Sequence, residues 1–154
     1  MHINDINYEA QPPLIRLMLD VRRIDAQIVR LREGISQVEA YMRKCTSRLT
    51  GMPRSGQSVA WDDLIQQKDE LRAEIQNKQA ERLRLAQVVA TSPDCDRLEL
   101  DEYRVLCMRY MTGHSLAETA LELHMGKTTV YEAEQRALAK IRTIPNESER
   151  FRTI

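Results

Sequence analysis

The sequence predicts an all-α protein: a long antiparallel helical hairpin over residues 1–91, coiled-coil in character, followed by a compact three-helix unit over residues 92–154. Three observations carry this expectation. Of 154 residues, 42% are hydrophobic and 30% charged but only 5% aromatic, a balance that suits helices packed with Leu and Met rather than a sandwich or barrel. Five Gly and five Pro are too few to turn many hairpins, and no segment alternates with a period of two. Two clusters interrupt the helical pattern: a turn-rich loop from Thr50 to Ser58, and Thr91-Ser92-Pro93-Asp94. In the second, Pro93 stops one helix and Asp94 is placed to cap the next.

The first helix announces itself by spacing. Leu14, Leu17, Val21, Ile24, Ile28, Leu31, Ile35, Val38, Met42, Cys45 and Leu49 recur at intervals of three and four, with mainly Arg, Asp, Gln and Glu between them. A stripe this narrow is the seam of a coiled coil, because a 3.5-residue repeat keeps one edge turned toward a partner helix. Pro12 and Pro13 suit a first turn, where the missing N–H costs nothing. A helix from residue 13 to 49 runs roughly 55 Å at 1.5 Å per residue. Gly34 inside it costs about 1 kcal/mol relative to Ala, which packing has to offset.

After the loop, Trp61, Leu64, Leu71, Ile75, Leu85 and Val89 continue a heptad that Lys68, Lys78 and Arg82 interrupt. Long cations can lay their stems along a seam while keeping the charge in water, and they set register at some cost in stability. The simplest arrangement folds the two helices back on each other around the loop. A two-helix hairpin has a shallow core, so a second copy is expected to cover its open side and make a homodimer. The alternative cover is the C-terminal unit of the same chain.

Three short amphipathic patterns follow Asp96. Tyr103, Leu106, Cys107 and Tyr110 share one face of a helix that Gly113 ends. Ser115-x-x-Glu118 has the form of a capping box and opens a second helix with Leu116, Thr119, Ala120 and Leu123 on one side. Val130, Ala133, Ala137, Leu138 and Ile141 mark a third. Leu123-His124-Met125-Gly126 has the length of the turn in a helix-turn-helix. Ala120 is small where two steeply crossed helices touch, and Val130 plugs the third helix into the second. His124 occupies the left-handed turn position usually given to Gly, at some cost in strain.

The run YRVLCMRYMTGHSLAETALELHMGKTTVYEAEQRALAKIR, residues 103–142, resembles region 4 of bacterial sigma factors. The matching residues are Arg104, Arg109-Tyr110, Ser115, Leu116, Glu118 and Ala120, then Val130, Glu134, Arg136, Ala137, Leu138, Lys140 and Arg142. The long hairpin ahead of this run resembles no sigma factor. The whole is similar to small phage-encoded late-gene activators of the RinA and ArpU type, which join a helical N-terminal half to such a tail.

That resemblance implies that the third helix enters the major groove of double-stranded DNA. Lys127, Thr128, Tyr131, Glu132 and Gln135 would face the bases. Lys suits guanine O6 or N7, Thr several base edges or a thymine methyl, and Glu the N4 amine of cytosine. Arg136, Lys140 and Arg142 would hold phosphates and set register. Arg104 and Arg109 are as well placed to pair with a nearby carboxylate. RNA polymerase of the host is a second partner that the resemblance implies.

Charge argues the other way. The chain has 23 Lys and Arg against 23 Asp and Glu, and residues 92–154 carry nine against eleven, whereas DNA-binding domains are usually basic. The segment 126–142 recovers four cations against two carboxylates. A single copy is thus expected to bind weakly, with a second half-site or RNA polymerase supplying the rest.

No cofactor or metal is expected. Cys95, Cys107, His114 and His124 lack the short spacings of zinc sites. Cys45, Cys95 and Cys107 fit reduced thiols. With no apolar leader or membrane-length run, the protein is expected in the cytoplasm of a bacterium or of a phage-infected cell, away from membranes. No Gly-rich phosphate loop or nucleophile elbow suggests an enzyme. Two other functions compete with transcription control by DNA binding. One is a protein-interaction module acting on RNA polymerase or another regulator; the other is a DNA-packaging recognition subunit of a phage.

Overall fold

The structure, a computed structural model, describes residues 6–48 and 55–142, and all regular structure among them is helical. Helix α1 spans Pro13–Arg48 and α2 spans Ser55–Ala90. A short 3-10 turn, Tyr8–Ala10, precedes α1, and another, Pro93–Arg97, follows α2. The compact helices are α3 (Leu100–Leu106), α4 (Leu116–Leu123) and α5 (Lys127–Arg142). None of the described helices is long and apolar enough to cross a membrane.

The proline signals are read as expected. Pro13 opens α1, and the N–H of Arg16 bonds the carbonyl of Pro12 at 3.0 Å. Pro93 opens the second 3-10 turn after α2 ends. The expected loop from Thr50 to Ser58 is shorter than its composition suggests, because Ser55 already begins α2. Its remaining residues, with Leu49 of the expected seam, lie outside the described part of the chain.

Packing divides the chain into two units: Arg23–Leu83 forms one, and the residues up to Arg22 together with those from Arg84 onward form the other. In the first unit, Lys68 Nζ lies 3.3 Å from Glu39 Oε1, Arg82 pairs with Asp25, and Leu71 faces Gly34. As one number in each pair rises the other falls, which is the register of an antiparallel hairpin. A Cβ on Gly34 would sit 3.5 Å from Leu71 Cδ1, an ordinary van der Waals contact, so the helix spacing does not require the glycine. Ile24, Ile28, Val38 and Ile75 are the buried part of this seam. The cations at heptad positions of α2 are half-buried, and Lys68 and Arg82 have their charged ends on carboxylates of α1.

The second unit has two hydrophobic clusters. In the larger, Leu14, Ile15, Met18 and Val21 of α1 and Val89 of α2 pack with Leu106, Tyr110, Ala137, Leu138 and Ile141. The boundary expected at residue 91 is therefore not where the packing divides: both ends of the hairpin are core for the C-terminal helices. The smaller cluster joins Val105, Ala120, Val130 and Ala133. Helix α3 serves both, turning Leu106 to one and Val105 to the other. That second role of α3 is absent from the face expected from Tyr103, Leu106, Cys107 and Tyr110.

Helix α3 continues through a π turn, Cys107–Met111, in which the N–H of Thr112 reaches back to the carbonyl of Cys107 at 3.1 Å. Gly113, at φ 75°, ends it in the left-handed region, and a Cβ there would lie 2.7 Å from Arg22 Nε. Ser115 caps α4 by accepting the N–H of Glu118 at 3.1 Å. The turn before α5 contains His124 at φ 53°, ψ 43°. It is the only non-glycine residue with positive φ among the described residues. His124→Gly is accordingly expected to raise stability by about 1 kcal/mol, the size of the left-handed penalty for a residue with a Cβ. Urea unfolding would show it, and a lower midpoint would mean that the histidine ring contributes packing instead.

Candidate nucleic-acid interface

Helix α5 has two sides that differ in kind. Val130, Ala133, Ala137, Leu138 and Ile141 are buried, each at 5% exposure or less. Lys127, Thr128, Tyr131, Glu132, Gln135, Arg136 and Arg142 are all exposed. Tyr131 is 53% exposed although it is a large ring, so its own fold does not consume it. Val130 docks between α3 and α4 beside Ala120, which fixes the rotation of α5 and thereby the direction of the exposed row. The helix begins at Lys127, with the N–H of Val130 bonded to the carbonyl of Gly126 at 3.0 Å.

Lys140 stands apart from the row. It is half-buried, and its ammonium binds Oε1 of Glu102, a side chain with no exposed surface. The same oxygen accepts the N–H of Glu99 at 2.9 Å, leaving Oε2 buried without a partner. Burial raises the carboxyl pKa, but the Lys140 and Glu99 bonds and the charges of Lys140 and Arg136 outweigh it and hold Glu102 below its ordinary value. Lys140, expected on a phosphate, is thus committed to a fold contact. The cations left on the outward side are Lys127, Arg136 and Arg142, none of which forms a close ion pair among the described residues, although the charge of Arg136 is felt by Glu102.

A second buried carboxylate ties α5 to the π turn. Glu134, 5% exposed, accepts the Tyr110 hydroxyl at 3.0 Å and Arg109 Nε at 3.3 Å. Arg109 also donates to the carbonyl of His114 at 2.9 Å. Burial and the adjacent Glu134 push the Tyr110 phenol well above its usual range, so it remains a neutral donor. The Arg109-Tyr110 pair, noted in the sequence for its resemblance, is a clamp on α5. Its partner was readable in retrospect, since Glu134 lies four residues from both Val130 and Leu138 on the inward stripe.

These two pairings change the charge balance of the surface. Glu102 and Glu134 count against DNA binding in composition, yet both are buried and neutralised by internal cations. Long-range repulsion of phosphate by such pairs is small compared with that of an exposed carboxylate. On the outward side of α5 only Glu132 is negative.

A cleft of about 490 Å³ opens beside this row, lined by Ile6 and Gln11 ahead of α1, by Arg109, and by Tyr131, Gln135 and Arg142 of α5, among others. Nothing in the sequence places Ile6 and Gln11 there. The turn that carries them is anchored by the Tyr8 hydroxyl on Asp20 Oδ2 at 3.0 Å. No group of three His, Cys, Asp or Glu among the described residues is arranged to hold a metal. Burial raises the pKa of both Cys95 and Cys107, keeping them as protonated packing groups.

Neither the curated proteins nor the solved structures give a match to this chain. Residues 96–143 match the family described as Sigma-70, region 4, a regulatory helix-turn-helix that binds DNA and RNA polymerase. The matched stretch begins in the 3-10 turn after α2 and ends just past α5, so it covers the three short helices and not the hairpin. The chain carries a sigma-70 region 4-like helix-turn-helix at its C-terminal end.

Proposed function

We propose that this protein is a sequence-specific regulator of transcription, a phage or prophage activator of the RinA and ArpU kind. It reads the major groove with α5 and dimerises through its N-terminal hairpin. The observation that carries the reading is the exposed row on α5. Lys127, Thr128, Tyr131, Glu132 and Gln135 have no structural duty, and they lie within the region that matches a DNA-binding family. Exposed cations and single exposed rings are common on protein surfaces; the weight here lies in their sharing the outward side of a helix inside the stretch that matches a DNA-binding family. Lys127, Thr128, Tyr131, Glu132 and Gln135 address base edges; Arg136 and Arg142 hold phosphates. Dimerisation supplies the affinity that a near-neutral single copy lacks, and two copies call for two half-sites.

Selection of bound duplexes from a random pool tests this. It is expected to return a site with two related halves. Lys127→Ala and Tyr131→Ala are then expected to cost about 1–3 kcal/mol each on that site and to relax preference at one position apiece. A pool that shows no enrichment sinks the reading.

One observation favours polymerase as an additional partner. Leu121 on α4 is 76% exposed and lies between exposed Glu118 and Glu122, a small apolar spot with an acidic rim.

A further inference from the structure

We infer that the segment ahead of α1 belongs to the DNA interface: the cleft between Ile6, Gln11 and α5 receives a backbone phosphate of the duplex, held by Arg142 and the side-chain amide of Gln11. The inference rests on the DNA-binding reading above and adds a contact from outside the helix-turn-helix.

The cleft is continuous with the reading face, because Tyr131 and Gln135 line it and belong to the exposed row of α5. A helix seated in the major groove has a phosphate strand along each flank, so side chains beside the row meet backbone rather than bases. On this flank the structure offers a cation and an unused amide. Arg142 is exposed and has no carboxylate partner among the described residues. Gln11 forms no side-chain hydrogen bond among them, and its Oε1 is buried.

The buried unpaired atom is the Gln11 oxygen, an acceptor that a phosphate does not serve; what the cleft offers an anion is the NH2 of the same amide, which has no partner among the described residues. Arg142 lines the same cleft, and an anion with several acceptor oxygens takes both its guanidinium N–H groups and the amide NH2. Arginine forks match phosphate geometry. The one carboxylate in the cleft, Glu134, is already held by Tyr110 and Arg109, so its charge is countered before the phosphate arrives.

The tether of this segment matters too. The Tyr8–Asp20 bond and the packing of Ile6 against the larger core cluster hold the turn next to α5. Binding therefore does not have to order a free strand of chain first, and the amide is in place beforehand.

The test uses the full chain on the selected duplex and on an unrelated duplex of equal length. Gln11→Ala is expected to weaken both by the same factor, roughly 3–10-fold, with the slope against salt unchanged. Arg142→Ala is expected to weaken both about tenfold or more and to lower the slope of log K against log salt by about 1; Arg142→Lys restores the slope. Ethylation interference should mark one phosphate whose effect disappears in Arg142→Ala.

If both alanine variants bind both duplexes like the parent chain, the inference is overturned while the DNA-binding reading stands. If the parent chain binds no duplex, both fall together. A free anion is the other source of the same chemistry. The Gln11 side-chain amide resonance is expected to move on adding duplex and to stay in place with low-millimolar inorganic phosphate. Movement with inorganic phosphate and none with duplex would identify a site for free anions and overturn the assignment.

Discussion

A fragment comprising residues 92–154 is expected to be largely unfolded, although it holds the whole of the sigma-like match. Leu14, Ile15, Met18, Val21 and Val89 are each without exposed surface and pack against Leu106, Tyr110, Ala137, Leu138 and Ile141. Burying a side chain of this kind contributes about 1.5–3 kcal/mol. Losing five is comparable to the entire net stability of a small domain, about 5–15 kcal/mol. The fragment would keep the smaller cluster around Val105, Ala120, Val130 and Ala133 and, of the larger one, only Leu106, Tyr110, Ala137, Leu138 and Ile141, with their covered face opened to water. Circular dichroism and amide proton dispersion would register the loss. A cooperative thermal transition in the fragment would contradict it.

The complementary variant keeps both helix ends and replaces Arg23–Leu83 with a short Gly/Ser turn. It retains every described side chain of the two C-terminal clusters, so it is expected to fold. If the hairpin is the dimerising arm, this shortened chain is also monomeric by light scattering and binds a single half-site. A dimeric shortened chain would move the dimer interface out of the hairpin.

The reason this division was not legible in the sequence lies in how stripes encode partners. The seam from Leu14 to Cys45 keeps one spacing throughout, and spacing says that a face is buried without saying by what. A signal was present in its width. Among residues 14–21, Leu14, Ile15, Leu17, Met18, Leu19 and Val21 are apolar, whereas beyond Arg22 the apolar residues off the seam thin out to Ala26, Val29, Ala40 and Tyr41. A broad stripe is the mark of a helix covered on two sides, and Ile15 and Met18 are where the second cover sits. The cations at Lys68 and Arg82 were legible as seam residues for the opposite reason, since a heptad position fixes where the stem must lie. The turn was legible from length and from Ala120 and Val130, down to the left-handed His124. The buried acids were not, because Glu102 and Glu134 differ from solvated glutamates only through Lys140, Arg109 and Tyr110, which lie 24 to 38 residues away in the chain. The segment 55–58 misled because Gly and Ser are common in loops, yet the first turn of a helix tolerates them.

Lys140→Met is expected to act on stability, at about 3–5 kcal/mol near neutral pH, the usual cost of stranding one member of a buried ion pair. Glu102 has no exposed surface, and its Oε2 is already without a partner. Removing Lys140 leaves the carboxylate with only the Glu99 N–H and the distant charge of Arg136. The pH dependence separates this from a DNA role. In the parent chain the folded pKa of Glu102 lies below the unfolded value of 4.5, so the pair's contribution is complete above that value and lost as pH falls through the lower folded one. In Lys140→Met the dominant remaining influence is burial, which raises the pKa and lets the acid form before the unfolded chain would protonate. The stability gap between the two proteins should therefore narrow as pH falls from 7 toward 4. Glu102→Gln combined with Lys140→Met should recover most of the loss at pH 7, because the amide oxygen still accepts the Glu99 N–H and no charge is stranded. A Lys140→Met protein with unchanged unfolding at pH 7 but weakened binding to every duplex would return Lys140 to the phosphate contacts from which its pairing with Glu102 removes it.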